Sequence, residues 1–338
     1  MKKTKKYIIY VSIPKNHKIQ VFKFNSLNKI KKIQEIDTNG EIQPIKLSLQ
    51  KKKLYAGVRN DARIITYTIN YKGLLKKKNE IKTYGNPNHI CIDLNEKYLF
   101  NSSYGNNSIS CHLLSKNGIP TKTYKIKNKV LGCHASIIDQ SNRFLFVAAL
   151  KLNKIFIYNI ENINKLFEIN TNNLYYNKNY GPRHMSIHPN NKYLYVLNEL
   201  NSTITVWDIQ KIILKNTFKY IQKIEIIPIF VKKKWAADIH ISPCGYFLYA
   251  SERATSTISL FQINPHTGIL KFTKIYQTVK QPRSFNIDQT GTYLIVAGQK
   301  SSSISIYSIN KKNGLLNQEL NFNIMQGPLW IEVLLLKD

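Results

Sequence analysis

The sequence predicts an all-β chain folded as a seven-bladed β-propeller of four-stranded antiparallel blades, with the ring closed by pairing its N- and C-terminal strands. Three observations carry this. First, an aromatic or large aliphatic residue is followed nine positions later by isoleucine seven times, at Tyr10/Ile19, Tyr55/Ile64, Phe100/Ile109, Phe146/Ile155, Tyr195/Ile204, Tyr249/Ile258 and Ile295/Ile304. Phe22, Tyr67, His112, Tyr158, Trp207, Phe261 and Tyr307 stand at the twelfth position. Second, the anchors lie 45, 45, 46, 49, 54 and 46 residues apart, the length of one four-stranded blade. Third, the chain opens on one half-repeat and ends on the complementary half.

Each repeat supplies its strands in a fixed order, named A to D from the channel outward. An alternating segment such as Met185-Ser186-Ile187 or Phe285-Asn286-Ile287 is strand A. The apolar run Tyr193-Leu194-Tyr195-Val196 is strand B, Asn198 to Ser202 a polar turn, and Ile204-Thr205-Val206-Trp207 strand C. A more variable polar stretch closes the repeat as strand D. Tyr7 to Val11 read as a strand B with no strand A before it, and Leu329 to Leu334 as a strand A with nothing after it. Pairing them completes one blade and leaves no long open sheet edge. Residues 1–338 are therefore expected to be one domain.

A formal net charge of +31 ordinarily points to nucleic acid or an anionic surface. Here 44 of the 50 basic residues are lysine, scattered through turns and outer strands, as at Lys51 to Lys53, Lys76 to Lys78 and Lys232 to Lys234. No aromatic-interleaved groove accompanies them, so no specific nucleic-acid partner is expected. Cys91, Cys111, Cys133 and Cys244 form no CxxC pair, and Cys111-His112 and Cys133-His134 lack zinc-site spacing. Neither a metal nor an organic cofactor is expected. Met1-Lys2-Lys3 before an apolar stretch imitates a signal peptide, but Tyr7 to Val11 are in register as a blade strand. The expectation is a cytoplasmic monomer with no membrane segment.

Antiparallel strands put the D-to-A connection and the B-to-C turn of every blade on one face. Twelve residues before the anchors stand Gln43, Asn88, His134, Arg183, Ala237 and Arg283; four after them stand Arg59, Tyr104, Leu150, Glu199, Arg253 and Gln299, with Lys300 beside the last. Four of the six arginines in the chain fall in these two registers. A guanidinium fork grips carboxylate or phosphate in a way that lysine cannot, which gives arginine a reason to persist there. His134, Arg183, Glu199 and Arg283 on one rim are the candidate catalytic residues. Asp238 and His240 read as polar groups satisfied by a neighbouring blade. Trp207-Asp208 matches a WD dipeptide once and without its partner motifs, and no GxSxG, phosphate-cradling glycine loop or HExxH occurs.

Gly181-Pro182-Arg183-His184, Asn198-Glu199-Leu200-Asn201-Ser202, Trp235-Ala236-Ala237-Asp238-Ile239-His240, Gln281-Pro282-Arg283-Ser284-Phe285-Asn286, Ala297-Gly298-Gln299-Lys300 and Gly327-Pro328-Leu329-Trp330 closely resemble the lactonase family of seven-bladed propellers. The resemblance runs from the first strand to Trp330. It implies hydrolysis of a small phosphosugar lactone, 6-phospho-D-glucono-1,5-lactone, to 6-phospho-D-gluconate in the oxidative pentose phosphate pathway. Related propeller cycloisomerases have a proposed set of His, Arg, Glu and a second Arg. Matching motifs carries these onto His134, Arg183, Glu199 and Arg283. Ser284 departs from the family pattern, which often has glycine after the second arginine. Arg59, His184, Gln299 and Lys300 are expected to bind substrate on the same rim. Either Glu199 or His134 would serve as general base. Two other readings stand beside this one: a muconate-type cycloisomerase, and a non-catalytic interaction scaffold.

Overall fold

In the computed structural model the chain forms seven antiparallel sheets arranged in a ring. The structure describes residues 5–336 apart from 26, 28, 164–166, 169–173, 176–177 and 212–216. Six of the sheets follow the order A-B-C-D along the sequence. The first blade instead joins the C-terminal strand Trp330–Leu335 to Lys6–Ile13, Lys18–Asn25 and Ile30–Asp37. Tyr7 pairs with Leu335 and Ser12 with Trp330, the closure expected from the two half-repeats.

Blade 5 shows the plan: Pro182–Ile187, Tyr193–Asn198, Thr203–Asp208 and Lys219–Glu225 as strands A to D. Strand B is mainly apolar and buried along nearly all of its length because both of its faces are covered by neighbouring blades. In blade 1, Tyr7, Ile9 and Val11 pack against Ile295 and Ile304 of blade 7, while Ile8 and Tyr10 pack against Ile45 and Leu54 of blade 2. The period-two alternation of a strand thus serves two cores, one on each side of each blade. Strand D lies at the rim and is mostly exposed on alternate residues, as in Leu75–Lys82 and Leu316–Asn323. Blade 4 differs: its strand C, Lys154–Asn159, pairs with two short strands, Phe167–Glu168 and Leu174–Tyr175.

The anchor residues also stitch blades together. The hydroxyls of Tyr10, Tyr55, Tyr195 and Tyr249 donate to the carbonyls of Gly73, Gly118, Gly268 and Gly314, each in the C-to-D turn of the following blade, over 2.7–2.9 Å. At Gly314, with φ +74°, a Cβ would lie 2.5 Å from Phe247, so only glycine permits this approach. A second repeat lies in the B-to-C turns. His17, Ala62, Asn107, Asn153, Ser202, Ser256 and Ser302, each two residues before the periodic isoleucine, all take left-handed φ of 45–59°. In six blades the carbonyl of that residue accepts the N–H of a residue just past strand D, as from Ile226 to Ser202. This bond ties the turn to the start of the next blade.

Candidate active site

Strand A begins irregularly in five blades, and the irregularity places the site. In blade 5, Pro182 faces Asn198 and His184 faces Leu197, which leaves Arg183 without a partner across the sheet. His134 stands likewise between the pairs Cys133/Ala149 and Ala135/Ala148, and Arg283 between Pro282/Gly298 and Ser284/Ala297. Each is the extra residue of a β-bulge, which turns its side chain out of the ladder. In these five blades the register twelve positions before the anchor falls in this bulge, whereas at Asn88 in blade 3 the pairing has no shift. Glu199 enters from the B-to-C turn of blade 5, its N–H held by the carbonyl of Gly181 at 2.8 Å. Gly181 has φ +64°, and a Cβ there would lie 2.6 Å from Leu200.

The structure brings Arg183 and Glu199 into direct contact. Glu199 Oε2 forms ion pairs with Arg183 Nε at 2.7 Å and Arg253 Nη2 at 2.9 Å, while Trp235 Nε1 donates to Oε1 over 3.3 Å. Arg183 is 1% exposed and also donates to the carbonyl of Ala237. Arg253 donates to the carbonyls of Trp235 and Ala236, and its guanidinium lies 3.8 Å from the centre of the Trp235 ring. Burial alone would raise the Glu199 carboxyl, but Arg183, Arg253 and Arg283 outweigh it and hold it below the usual carboxylate value. Burial, then the charge of Arg183, pushes Arg253 down to about 8. The same two causes, in that order, push Arg283 down to about 9.

Arg283 differs from the other two arginines. Among the described residues its guanidinium makes no hydrogen bond or ion pair, although the charges of Arg183, Glu199 and Arg59 all act on it. Arg59, in blade 2, is tied to Gln43 Oε1 at 2.9 Å. The cluster therefore carries more guanidinium than carboxylate and keeps one fork uncommitted, which is the electrostatic signature of an anion site.

On the other side of the mouth the groups are neutral. Burial, followed by Arg183, drives His134 well below the ordinary histidine value, so its imidazole is uncharged at neutral pH. Its ring is 5.9 Å from Tyr104 and 5.2 Å from His184, and its buried Nδ1 has no partner. The Asn88 side chain holds the His134 carbonyl at 2.7 Å. His184 turns away from the rim: its Nδ1 bonds Asp238 Oδ1 at 2.7 Å, and its ring borders the central channel, a cavity of about 440 Å³. Asp238 and His240, two apart on one strand, meet across 3.3 Å, while the bonds of Asp238 to neighbouring blades are those to His184 and to the Phe285 N–H.

Gln299 and Lys300 lie in the B-to-C turn of blade 7, where their N–H groups bond the carbonyls of Gln281 and Lys280. Among the described residues their side chains make no hydrogen bond or ion pair to the arginine cluster. Two contributors were not expected in the site: Arg253, which completes the clamp on Glu199, and Trp235, which supports both. Arg253 did stand in the second rim register, and an arginine in so lysine-rich a chain was the available signal.

The family described as lactonase, 7-bladed beta-propeller, matches residues 7–333. The chain belongs to that family. A 6-phosphogluconolactonase of Buchnera aphidicola subsp. Schizaphis graminum is 40% identical over 325 residues, covering 96% of this chain and 98% of the relative. A 6-phosphogluconolactonase of Enterobacter sp. strain 638 is 37% identical, over 97% and 99%. Among solved structures, the Pseudomonas aeruginosa periplasmic gluconolactonase PpgL superposes with a TM-score of 0.86 at 17% identity over 98% of this chain and 99% of that one, which shows the shared propeller. In this lactonase-family chain the clamped Glu199, the uncommitted Arg283 and the neutral His134 surround one mouth of the channel.

Proposed function

We propose that this protein is a 6-phosphogluconolactonase that hydrolyses 6-phospho-D-glucono-1,5-lactone to 6-phospho-D-gluconate, acting as a cytoplasmic monomer. The observation that carries the reading is the uncommitted Arg283 fork in a cluster with excess positive charge, on a rim that also holds a neutral imidazole. The names of the 36–42% identical relatives supply the substrate class. Arg283 takes an anionic group of the substrate, with Arg59 and Lys300 adding positive charge around it.

Glu199 is a poor base, because both of its oxygens are engaged and its carboxyl is held ionised. It keeps Arg183 in place. His134 then removes a proton from water as the water oxygen attacks the lactone carbonyl, and a guanidinium of the cluster stabilises the oxyanion. Collapse of the tetrahedral intermediate breaks the bond between the carbonyl carbon and the ring oxygen. The proton on His134 passes to that oxygen, so the imidazole returns to its neutral state. The new carboxylic acid ionises in water.

The test is a coupled assay on freshly prepared phosphogluconolactone, corrected for spontaneous hydrolysis, with unphosphorylated gluconolactone and a muconolactone in parallel. Turnover should be confined to the phosphorylated lactone. Arg283→Lys should raise KM roughly tenfold by losing the fork while keeping the charge. Equal turnover of the unphosphorylated lactone, or an unchanged KM in the folded variant, would remove Arg283 from phosphate binding.

A further inference from the structure

His184 is the least explained of the expected site residues. It was expected to touch substrate, yet its ring is buried one residue beyond Arg183 and sits between two other imidazoles, 5.2 Å from His134 and 5.4 Å from His89. Asp238 fixes one side of it. Oδ1 of Asp238 meets His184 Nδ1 at 2.7 Å and His240 Nε2 at 3.3 Å and accepts the Ile239 N–H, while Oδ2 accepts the Phe285 N–H. Burial alone would raise this carboxyl, but His240 and His184 outweigh it, so Asp238 is ionised and only accepts. His184 therefore carries its proton on Nδ1, and its Nε2 is a lone-pair acceptor.

That Nε2 is buried and has no partner, and the same holds for Nδ1 of His134 and Nδ1 of His89 in the two adjacent rings, of which His134 is the nearer and stands on the rim. Two orphaned imidazole nitrogens on touching rings are satisfied together if one accepts and the other donates, directly after a small rotation or through one bridging water. Since His184 Nε2 can only accept, His134 Nδ1 is the donor wherever these two nitrogens meet, and His89 Nδ1 is the competing donor on the other side. The lone pair of His134 is then left on Nε2, as a general base requires.

We propose that Asp238 and His184 are positioning residues that act in series to hold His134 in its Nδ1-protonated tautomer and so make it a base. The proposal rests on the lactonase reading of the site, but its central claim concerns tautomers and can be measured without turnover. The charged and titratable neighbours are known: Arg183, His89 and His240 surround His184, and Arg183, Arg253, Arg283 and Tyr104 surround His134. Burial and Arg183 hold His184 down to about 4, so both imidazoles are neutral at the pH of the experiment.

The experiment is nitrogen-15 NMR of the histidine rings in the full-length protein at pH 7.5, beside kinetics on the phosphorylated lactone. In the wild type, His184 and His134 should both show protonated Nδ1 and unprotonated Nε2. Asp238→Asn offers an amide donor to His184 Nδ1 and should move the proton of His184 to Nε2. In that variant and in His184→Gln, kcat should fall on the order of a hundred-fold or more with KM within about threefold, and the acid limb of the kcat profile should shift. Either residue protonated on Nε2 in the wild type overturns the proposal. So does a folded Asp238→Asn with wild-type kcat and pH profile, the result expected of a merely structural carboxylate. A wild type with no lactonase activity would defeat the proposed function alone, and the tautomers would still decide this inference.

Discussion

The two faces of the disc use the same backbone for opposite ends. On the face of the A-to-B turns one task recurs, accepting backbone N–H groups of the turn, carried by aspartate in three blades and by Ser48, His188 and Ser242 in three others. Asp93, Asp139 and Asp288, at equivalent positions in blades 3, 4 and 7, each accept two backbone N–H groups on Oδ1, from Lys97 and Tyr98, Arg143 and Phe144, and Thr292 and Tyr293. On the opposite face the bulged position changes identity from blade to blade, through Gln43, His134, Arg183, Ala237 and Arg283. A residue that repeats with the blade serves what repeats, the turn. The varying bulge residues are the ones proposed to serve what occurs once, a ligand at the axis.

The largest effect should come from the varying face. His134→Gln removes the proposed base and keeps the bond that the Asn88 side chain makes to the backbone carbonyl at this position. Turnover of the phosphorylated lactone should fall on the order of a hundred-fold or more, while the denaturation midpoint stays near that of the parent. A folded variant with kcat within a few-fold would move the chemistry away from this mouth of the channel.

Asp288→Ala tests the repeating face and should reverse the pattern. Asp288 is fully buried, and besides the two bonds to Oδ1 its Oδ2 accepts from the N–H and hydroxyl of Thr290. Losing these charge-assisted bonds and leaving N–H groups without acceptors should cost about 3 kcal/mol of stability, read from denaturant unfolding. The kcat of the folded fraction should hold. A large fall in turnover with stability unchanged would contradict the division between the faces.

The same division explains what the sequence made legible. Seven anchors at blade spacing and two complementary half-repeats were enough for the ring and its closure, because the pattern is local and periodic. The rim registers were legible because antiparallel strands alternate, so counting from an anchor selects a face. What could not be counted were contacts between blades. That Glu199 is shared by Arg183 and Arg253, and that His184 leans on Asp238, depends on how neighbouring strands A splay at their bulges, and a bulge leaves no mark in residue spacing. The left-handed turn residue was hidden for another reason. It is His, Ala, Asn or Ser in different blades and never glycine, so composition gave no sign of a conformation that the backbone repeats seven times.

The smallest expected effect concerns the anchors themselves, where the molecule contains its own controls. Tyr10, Tyr55, Tyr195 and Tyr249 reach the glycine carbonyl of the next blade, but the equivalent anchors of blades 3 and 4 are Phe100 and Phe146, and that of blade 7 is Ile295. The ring therefore closes without this bond in three of its seven places, and the hydroxyl is an addition to apolar packing. Tyr249→Phe should lower stability by about 1 kcal/mol, the net worth of one hydrogen bond plus the unmet carbonyl of Gly314, and leave both kcat and KM unaltered. The reciprocal change, Phe146→Tyr, should bring no matching gain, since residues 209–218, which link strands C and D of blade 5, include no glycine. A loss of several kcal/mol in Tyr249→Phe would mean that the anchors hold the ring by their hydroxyls, and that the apolar period is the lesser part of the signal.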